Sequence, residues 1–329
     1  MNTLRGTVKW GIIGAGDVCE KKSGPAFNKV PNSELVGVMR RNIEKARDYA
    51  RRHNVPKFYD DAGSLLRDPE INAIYIATPP AFHEQYTLAA LQAGKPVYVE
   101  KPVSLNQNSC LKMIQEQNKF KLPVSVAHYR RELPMFKKIK KIMHSGQLGK
   151  ILLVTINTYQ SPIENIIARS EDNWRINPEL SGGGLFHDLA PHQLDLMCWY
   201  FGEPDRISGY SLNHGGNYKA PDFVCLNAIF RKDVNLSGVW AFSVHKNAVK
   251  EECEIIGEKG KLNFSFFRNP ILYIHSEAGT EQVEFSVPEN IQQPMIEQVV
   301  KFFRGEADNP CSLDDALASL KMMDATLGQ

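Results

Sequence analysis

Residues Val8–Ile13 form an apolar run that ends in Gly14-Ala-Gly16, and this strand with its glycine turn constrains the fold more than any other stretch of the 329 residues. An apolar strand leading into Gly-x-Gly and then a helix opens a βαβ unit, which needs a parallel neighbour strand. The chain must turn sharply at Gly14. Gly16 has no side chain to keep a pyrophosphate away from backbone N–H groups and the positive end of the next helix. The pattern predicts a dinucleotide site at Gly14, Gly16, Asp17 and Val18; the alternative is an ordinary tight turn. Cys19 occupies the third fingerprint position, where Gly or Ala is usual, so the packing there must accept a larger atom.

The rhythm that follows agrees with a parallel sheet. Glu34–Met39, Ala73–Ala77, Val97–Val99 and Val124–Ala127 read as buried strands, separated by helical spacing over Ile43–His53, His83–Ala93 and Ser109–Lys119. Gly94 sits where a helix C-cap glycine belongs, and right-handed crossovers are expected. After about residue 150 the texture changes to longer β-prone runs: Ile151–Tyr159, Cys225–Phe230, Leu236–Phe242, Glu252–Gly257, Lys261–Phe266 and Gln282–Val287. Turn signals such as Gly257-Glu-Lys-Gly260 between them predict an antiparallel sheet and a second, α+β domain. Helices are expected near Leu189–Phe201, Gln293–Phe303 and Ser312–Leu327, the last capped by Ser312 with Asp315.

Composition excludes several function classes. Hydrophobic residues are 43% and charged residues 23%, ordinary globular usage. Lys plus Arg number 39 against 37 Asp plus Glu, so no global field draws in nucleic acid or an anionic membrane. The six cysteines, at 19, 110, 198, 225, 253 and 311, contain no Cys-x-x-Cys pair and read as reduced, mostly buried thiols. No secretory h-region or long uncharged apolar window occurs, which predicts a soluble cytoplasmic protein.

Coenzyme choice is read at the end of the second strand. NAD-preferring proteins commonly place a carboxylate there for the ribose 2′-hydroxyl, whereas this chain has Arg40 and Arg41, followed by Asn42. A guanidinium pairs with a 2′-phosphate that a carboxylate would repel, so NADP is expected over NAD. The alternative is that both arginines belong to a solvated helix start.

Further motifs follow in order: Ala77-Thr78-Pro79-Pro-Ala-Phe-His83, Val97-Tyr-Val-Glu100-Lys101-Pro102, Trp174-Arg175, and Gly182-Gly-Gly-Leu-Phe-His187-Asp188-Leu-Ala-Pro191-His192-Gln-Leu-Asp195. With the glycine turn, they resemble the Gfo/Idh/MocA oxidoreductase family, which includes glucose–fructose oxidoreductase and inositol dehydrogenase, over residues 7–327. The resemblance implies an α/β fold: a Rossmann dinucleotide-binding domain over 1–127, then a substrate-binding and oligomerisation α+β domain with a large, mostly antiparallel open sheet over 128–329. It also implies that the final helix packs back toward the first domain, and that Thr78, Pro79, His83, Glu100 and Lys101 join the coenzyme site. Lys101, Asp188 and His192 match the residues that surround the substrate carbon opposite the nicotinamide, and association through the open sheet implies a homodimer or homotetramer.

The residues themselves support compatible roles. Ligands of open α/β sheets bind beyond the carboxyl ends of the strands, where Lys101, Thr78 and Pro79 lie. The Lys101 ammonium would stabilise negative charge growing on a substrate oxygen; the alternative is a surface lysine paired with Glu100. Asp188, His192 and Asp195, spaced i, i+4, i+7, share one helical face. Pro191 belongs in a first turn, so the helix is expected to start close to Asp188, which leaves Asp188 open to an N-cap role and His192 to that of a core histidine. Against these, the three glycines let the preceding loop approach a ligand closely, and the helix N-terminus favours neutral imidazole. His192 is then the general acid–base, and Asp188 binds a neighbouring hydroxyl.

Tyr129 and Arg130, at the domain changeover, are candidate cleft residues or, with Arg131, parts of an interdomain salt bridge. Trp174 and Arg175 could wall a sugar ring, though a core tryptophan needs no such role. Lys21 and Lys22 contact phosphate or substrate, or only solvent. His187 and His192, five apart, do not share a helical face, so no metal site is expected. The expected activity is an NAD(P)-dependent oxidoreductase acting on CH–OH groups of a sugar, polyol or related polyhydroxylated molecule. Alternatives are a coenzyme-bound sensor without turnover and a glycosidase with transient redox chemistry.

Overall fold

Strands that are buried on both faces need no alternation, and this sets the first sheet. In the computed structural model, which describes residues 2–162 and 174–327, β1 (Val8–Ile13), β2 (Ser33–Met39), β3 (Lys57–Tyr59), β4 (Ala73–Ile76), β5 (Val97–Val99) and β6 (Val124–Val126) form a parallel sheet in the order β3-β2-β1-β4-β5-β6. All of β4 and β5 is buried. Strand order reverses between β1 and β4, which creates a switch point at their carboxyl ends. The helices are α1 (Asp17–Lys21), α2 (Ile43–Arg52), α3 (Ala62–Arg67), α4 (His83–Gln92) and α5 (Gln107–Phe120). Asn42, Asp61 and Asn106 cap α2, α3 and α5 by accepting from Lys45, Ser64 and Ser109 N–H groups, each cap worth about 1 kcal/mol. β3 has no sequence signal because it is a three-residue edge strand, partly exposed.

The chain divides into two compact units: Met1–Tyr129 with Pro288–Leu317, and Arg130–Val287 with Ala318–Gln329. Sequence order alone assigns 288–317 to the second half. In the first unit Trp10 explains its placement: the indole donates to Ser33 Oγ at 3.0 Å and packs against Phe27 and against Phe303 of α9 (Gln293–Phe303).

The second unit holds α6 (Pro134–His144), α7 (Pro178–Ser181), α8 (Leu185–Phe201) and a sheet ordered β14-β13-β12-β11-β7-β10-β9-β8. Its strands are β7 (Ile151–Tyr159), β8 (Pro204–Leu212), β9 (Phe223–Phe230), β10 (Val234–Ala241), β11 (Lys250–Gly257), β12 (Gly260–Phe264), β13 (Ile271–Ser276) and β14 (Gly279–Glu284). Pairing is antiparallel except between β7 and β10. β8 escapes sequence reading as a polar, exposed edge strand, whereas β13 displays an apolar run. Val154, Ile156 and Thr158 of β7 are buried while their neighbours are half-buried, because helix covers one face only.

α8 starts at Leu185, not near Asp188 as Pro191 implies. The proline therefore stands inside the helix, at a cost of about 3 kcal/mol. Burial of every α8 residue except Leu185 and Trp199 offsets it. At its carboxyl end the Tyr200 and Phe201 carbonyls accept from Arg231, beside the β9–β10 hairpin; at its start Gly184 meets Ala220 near the beginning of β9. α8 thus runs antiparallel to β7 and β10. The last helix, α10 (Leu313–Asp324), contributes to both units and has the expected cap: Ser312 N–H donates to Asp315 and Asp315 N–H to Ser312 Oγ. Among the described residues no helix is long and apolar enough to cross a membrane.

Candidate active site

Gly14 has φ +88°, and a Cβ there would lie 2.6 Å from Thr78 Cγ2 and 2.9 Å from Thr78 N. The turn is seated by Gly14 and Ala15 N–H groups, which donate to the Met39 carbonyl at 3.0 and 3.2 Å. Gly16 differs: the nearest atom to a Cβ there is Gly14 O at 3.8 Å, so its glycine leaves open space rather than fitting a contact. Beside Gly14 the Thr78 hydroxyl is buried without a hydrogen-bond partner. An unfilled cradle next to an unsatisfied hydroxyl fits a dinucleotide phosphate. The helix that follows is only five residues long, with Asp17 exposed and Val18 half-buried, so its dipole adds little. Cys19 fits the third fingerprint position as a buried residue whose thiol burial pushes up to about 12.

Arg40 and Arg41 leave β2 beside this turn. Arg40 is half-buried, its N–H bonded to the Tyr59 carbonyl, and Arg41 is exposed with its guanidinium 5.8 Å from the Phe82 ring centre. Pro79 is half-buried and starts the short turn at Pro80–Phe82. His83 is fully buried; Nδ1 lies 2.9 Å from the Pro102 carbonyl and Nε2 2.8 Å from that of Thr78. Burial lowers its pKa, and the ring clamps the loops that follow β4 and β5.

Those loops hold Glu100 and the half-buried Lys101, whose bond to Pro102 is cis. Glu100 is buried and accepts from Tyr75 Oη and Gln292 Nε2, both at 2.6 Å, and from Lys101 N–H at 3.2 Å. Gln292 is itself fixed, since its N–H donates to the Lys22 carbonyl, while Asn290 Nδ2 donates to that of Lys21. Tyr75 and Gln292 therefore position the Glu100–Lys101 turn, a role no local motif announces. Tyr129 is buried just past β6.

In the second unit Asp188, His192 and Asp195 share a face of α8, as their spacing predicts, but their partners differ. Asp188 accepts from Arg175 Nε at 2.8 Å, and the Arg175 guanidinium lies 4.7 Å from the Trp174 ring. His192 is buried, its ring 5.9 Å from that of Phe267. Arg130 stacks 4.6 Å from the same ring and donates to the Phe266 carbonyl. The N–H groups of Phe266 and Phe267 are held by the Glu251 carboxylate. Asp195 takes two bonds from Arg131, 2.9 and 2.7 Å, with both side chains buried. Both partners of that bridge belong to this one unit.

Three sequence expectations change here. Asp188 is not the N-cap, a place taken by Gly184. His192 lies two turns inside α8, so an end effect confined to the first turn does not reach it. The glycine run serves packing: a Cβ on Gly183 would lie 2.2 Å from His187 Nδ1, and one on Gly184, at φ +74°, would lie 2.5 Å from Ala220 Cβ. His187 is consequently sealed, and burial pushes its pKa down to about 4. Among the described residues no group of three potential ligands could hold a metal ion.

Residues 8–128 match the profile of an oxidoreductase family with an NAD-binding Rossmann fold, and residues 136–263 match the GFO/IDH/MocA C-terminal domain. The chain belongs to the Gfo/Idh/MocA oxidoreductase family. This Gfo/Idh/MocA member is 43% identical over 325 residues to Oxidoreductase P35 of Formosa agariphila, with 99% of this chain and 100% of that one covered. It is 25% identical over 292 residues to a trans-1,2-dihydrobenzene-1,2-diol dehydrogenase of Xenopus laevis, covering 87% and 83% of the two chains. Its fold is that of a levoglucosan dehydrogenase solved with NADH and levoglucosan (TM-score 0.83, 21% identity, 97% and 96% covered). The aldose–aldose oxidoreductase of Caulobacter crescentus also shares it (TM-score 0.85, 20% identity, 97% and 96% covered).

Proposed function

We propose that this NAD(P)-binding oxidoreductase interconverts a secondary alcohol and a ketone, or an equivalent aldose carbon, on a sugar, polyol or related molecule. The observation that carries the reading is the face of α8 on which Asp188, held by Arg175, and His192, set against Phe267, stand one turn apart. Bound NADP, in its oxidised form, supplies a hydride acceptor. In the oxidation direction His192 takes the hydroxyl proton, Lys101 stabilises the charge growing on that oxygen, and Asp188 accepts a hydrogen bond from a neighbouring hydroxyl while Arg175 orients it. Trp174 offers a ring face to the sugar, and Tyr129 and Arg130 complete the wall. Names of relatives support the substrate class: the levoglucosan complex and the diol dehydrogenase both concern hydroxylated rings.

NADP is favoured over NAD because Arg40 occupies the carboxylate position beside the Gly14 turn, with Arg41 next to it. Arg40→Asp is expected to reverse the preference. A homodimer or homotetramer is proposed through the sheet face that α8 leaves uncovered, where Tyr210 is 52% and Leu212 44% exposed; sedimentation velocity tests it.

A panel of sugars, inositols and their keto forms, assayed with both coenzymes by absorbance of the reduced nicotinamide, tests the reading. Turnover of at least one is expected, falling roughly 100-fold or more in Lys101→Ala and His192→Ala. Near-normal kcat in either variant removes that residue's role. Product release without net coenzyme change would favour the glycosidase alternative, and coenzyme binding with no turnover the sensor.

A further inference from the structure

Gln160 directly follows β7 and is 3% exposed, yet its Nε2 has no hydrogen-bond partner among the described residues. Native structures rarely leave a buried amide donor unsatisfied unless something else completes it. Side chains two apart on a strand share a face, so Gln160 points the way Thr158 does, beneath α8. The Thr158 row is closed: Thr158 Oγ1 accepts from Gln193 Nε2 at 2.9 Å, and Gln193 Oε1 accepts from Trp240 Nε1 at 2.6 Å.

The next row is not closed. Its carboxylate, Asp222, is already engaged by the His214 and Gly215 N–H groups, each at 2.7 Å, and by the Ser243 hydroxyl. Its main chain is satisfied as well: Gln160 N–H donates to the Ala241 carbonyl and Val244 N–H to that of Gln160. Gln160 Nε2 is the donor this row leaves over.

Its level along α8 follows from the antiparallel arrangement. Two strand residues advance roughly 6.6 Å, equal to about four helical residues, so stepping back from Gln193 puts Gln160 level with Asp188 and Leu189. Besides the two ring nitrogens of the sealed His187, two more unsatisfied groups lie at this end of the sheet. One is Nη1 of Arg175, the residue that holds Asp188; the other is the Tyr218 hydroxyl, in the loop whose Ala220 packs on Gly184. Partnerless donors on three separate segments thus gather around the first turn of α8.

We propose that Gln160 is a substrate-binding residue that donates from Nε2 to a hydroxyl oxygen next to the one engaged by Asp188. The inference rests on the sugar or polyol reading above, and binding is measured without turnover so that the two can fail separately. The test titrates D-glucose and myo-inositol into the protein saturated with NADPH, a form that cannot oxidise an alcohol. Wild type, Gln160→Leu and Gln160→Glu are compared, with melting temperature and NADPH affinity as controls.

The expected result is at least about tenfold weaker binding of the better probe to Gln160→Leu, the loss of one neutral hydrogen bond, with unchanged NADPH affinity and an undiminished melting temperature. Among the monodeoxy forms of that probe, one should bind wild type and Gln160→Leu alike, which identifies the hydroxyl. Equal affinity of wild type and Gln160→Leu overturns the proposal, as does a lower melting temperature without a change in affinity, or failure of wild type to bind either probe. Binding that depends on Gln160 but leads to no turnover with NADP upholds the subsite and overturns the dehydrogenase reading instead.

Discussion

Gly14 and Gly16 stand two residues apart but are glycines for different reasons, and replacing each by alanine separates fold from coenzyme binding. Gly14→Ala forces a side chain to φ +88° and against the Thr78 main chain at 2.9 Å, which cannot yield without moving the end of β4. The left-handed conformation alone costs roughly 1–2 kcal/mol, so the apo protein should lose more than about 2 kcal/mol. Gly16 has φ −104° and ψ −157°, and its nearest Cβ neighbour would be 3.8 Å away. Gly16→Ala should therefore change apo stability by less than about 1 kcal/mol. Its methyl group occupies the space assigned to the pyrophosphate. Losing one main-chain bond to a charged phosphate costs about 1.5–3 kcal/mol, or roughly 10- to 150-fold in affinity. At a coenzyme concentration of about 100 Kd, wild type gains about 2.7 kcal/mol on binding, whereas a variant 30-fold weaker gains about 0.9 kcal/mol. Urea unfolding with and without NADPH reads both quantities. Parental coenzyme stabilisation in Gly16→Ala, or an apo loss as large as that of Gly14→Ala, would refute the assignment.

Asp195→Ala takes the buried carboxylate away from the Arg131 guanidinium and should cost about 3–5 kcal/mol in urea unfolding, with Arg131→Met in the same chain recovering part of it. No recovery would mean that the pair is not the unit of the effect. His187 predicts a pH dependence of stability. Its folded pKa of about 4 lies below the unfolded value of about 6.5, so the unfolded chain binds the extra proton between those values, and stability falls as pH drops through that window. The loss is about 3 kcal/mol, and His187→Gln should flatten the slope by that much; an identical slope would show that the imidazole is not sealed.

Much of the first sheet was legible because strands buried on both faces read as unbroken apolar runs, and β1 and β5 fall where Val8–Ile13 and Val97–Val99 put them. The edge strand β8 was hidden because exposure on a sheet margin permits polar residues and Gly209. Local spacing put Asp188, His192 and Asp195 on one face of a helix, but could not tell which carboxylate would pair with Arg175 and which with Arg131, since those arginines come from other segments. The bond from Gln292 to Glu100 joins residues 192 positions apart and leaves no trace in either neighbourhood. Pro191 misled for an energetic reason: the proline rule concerns an isolated helix, and nearly complete burial overrides it.

Hydride exchange with a hydroxyl-bearing carbon can be followed by incubating the enzyme with the keto form of its best sugar and NADPH deuterated at the transferred position of the nicotinamide. One deuterium is expected on the carbinol carbon of the product and none in solvent. A product free of label would rule out direct hydride transfer, whether the deuterium stays on the coenzyme or appears in water.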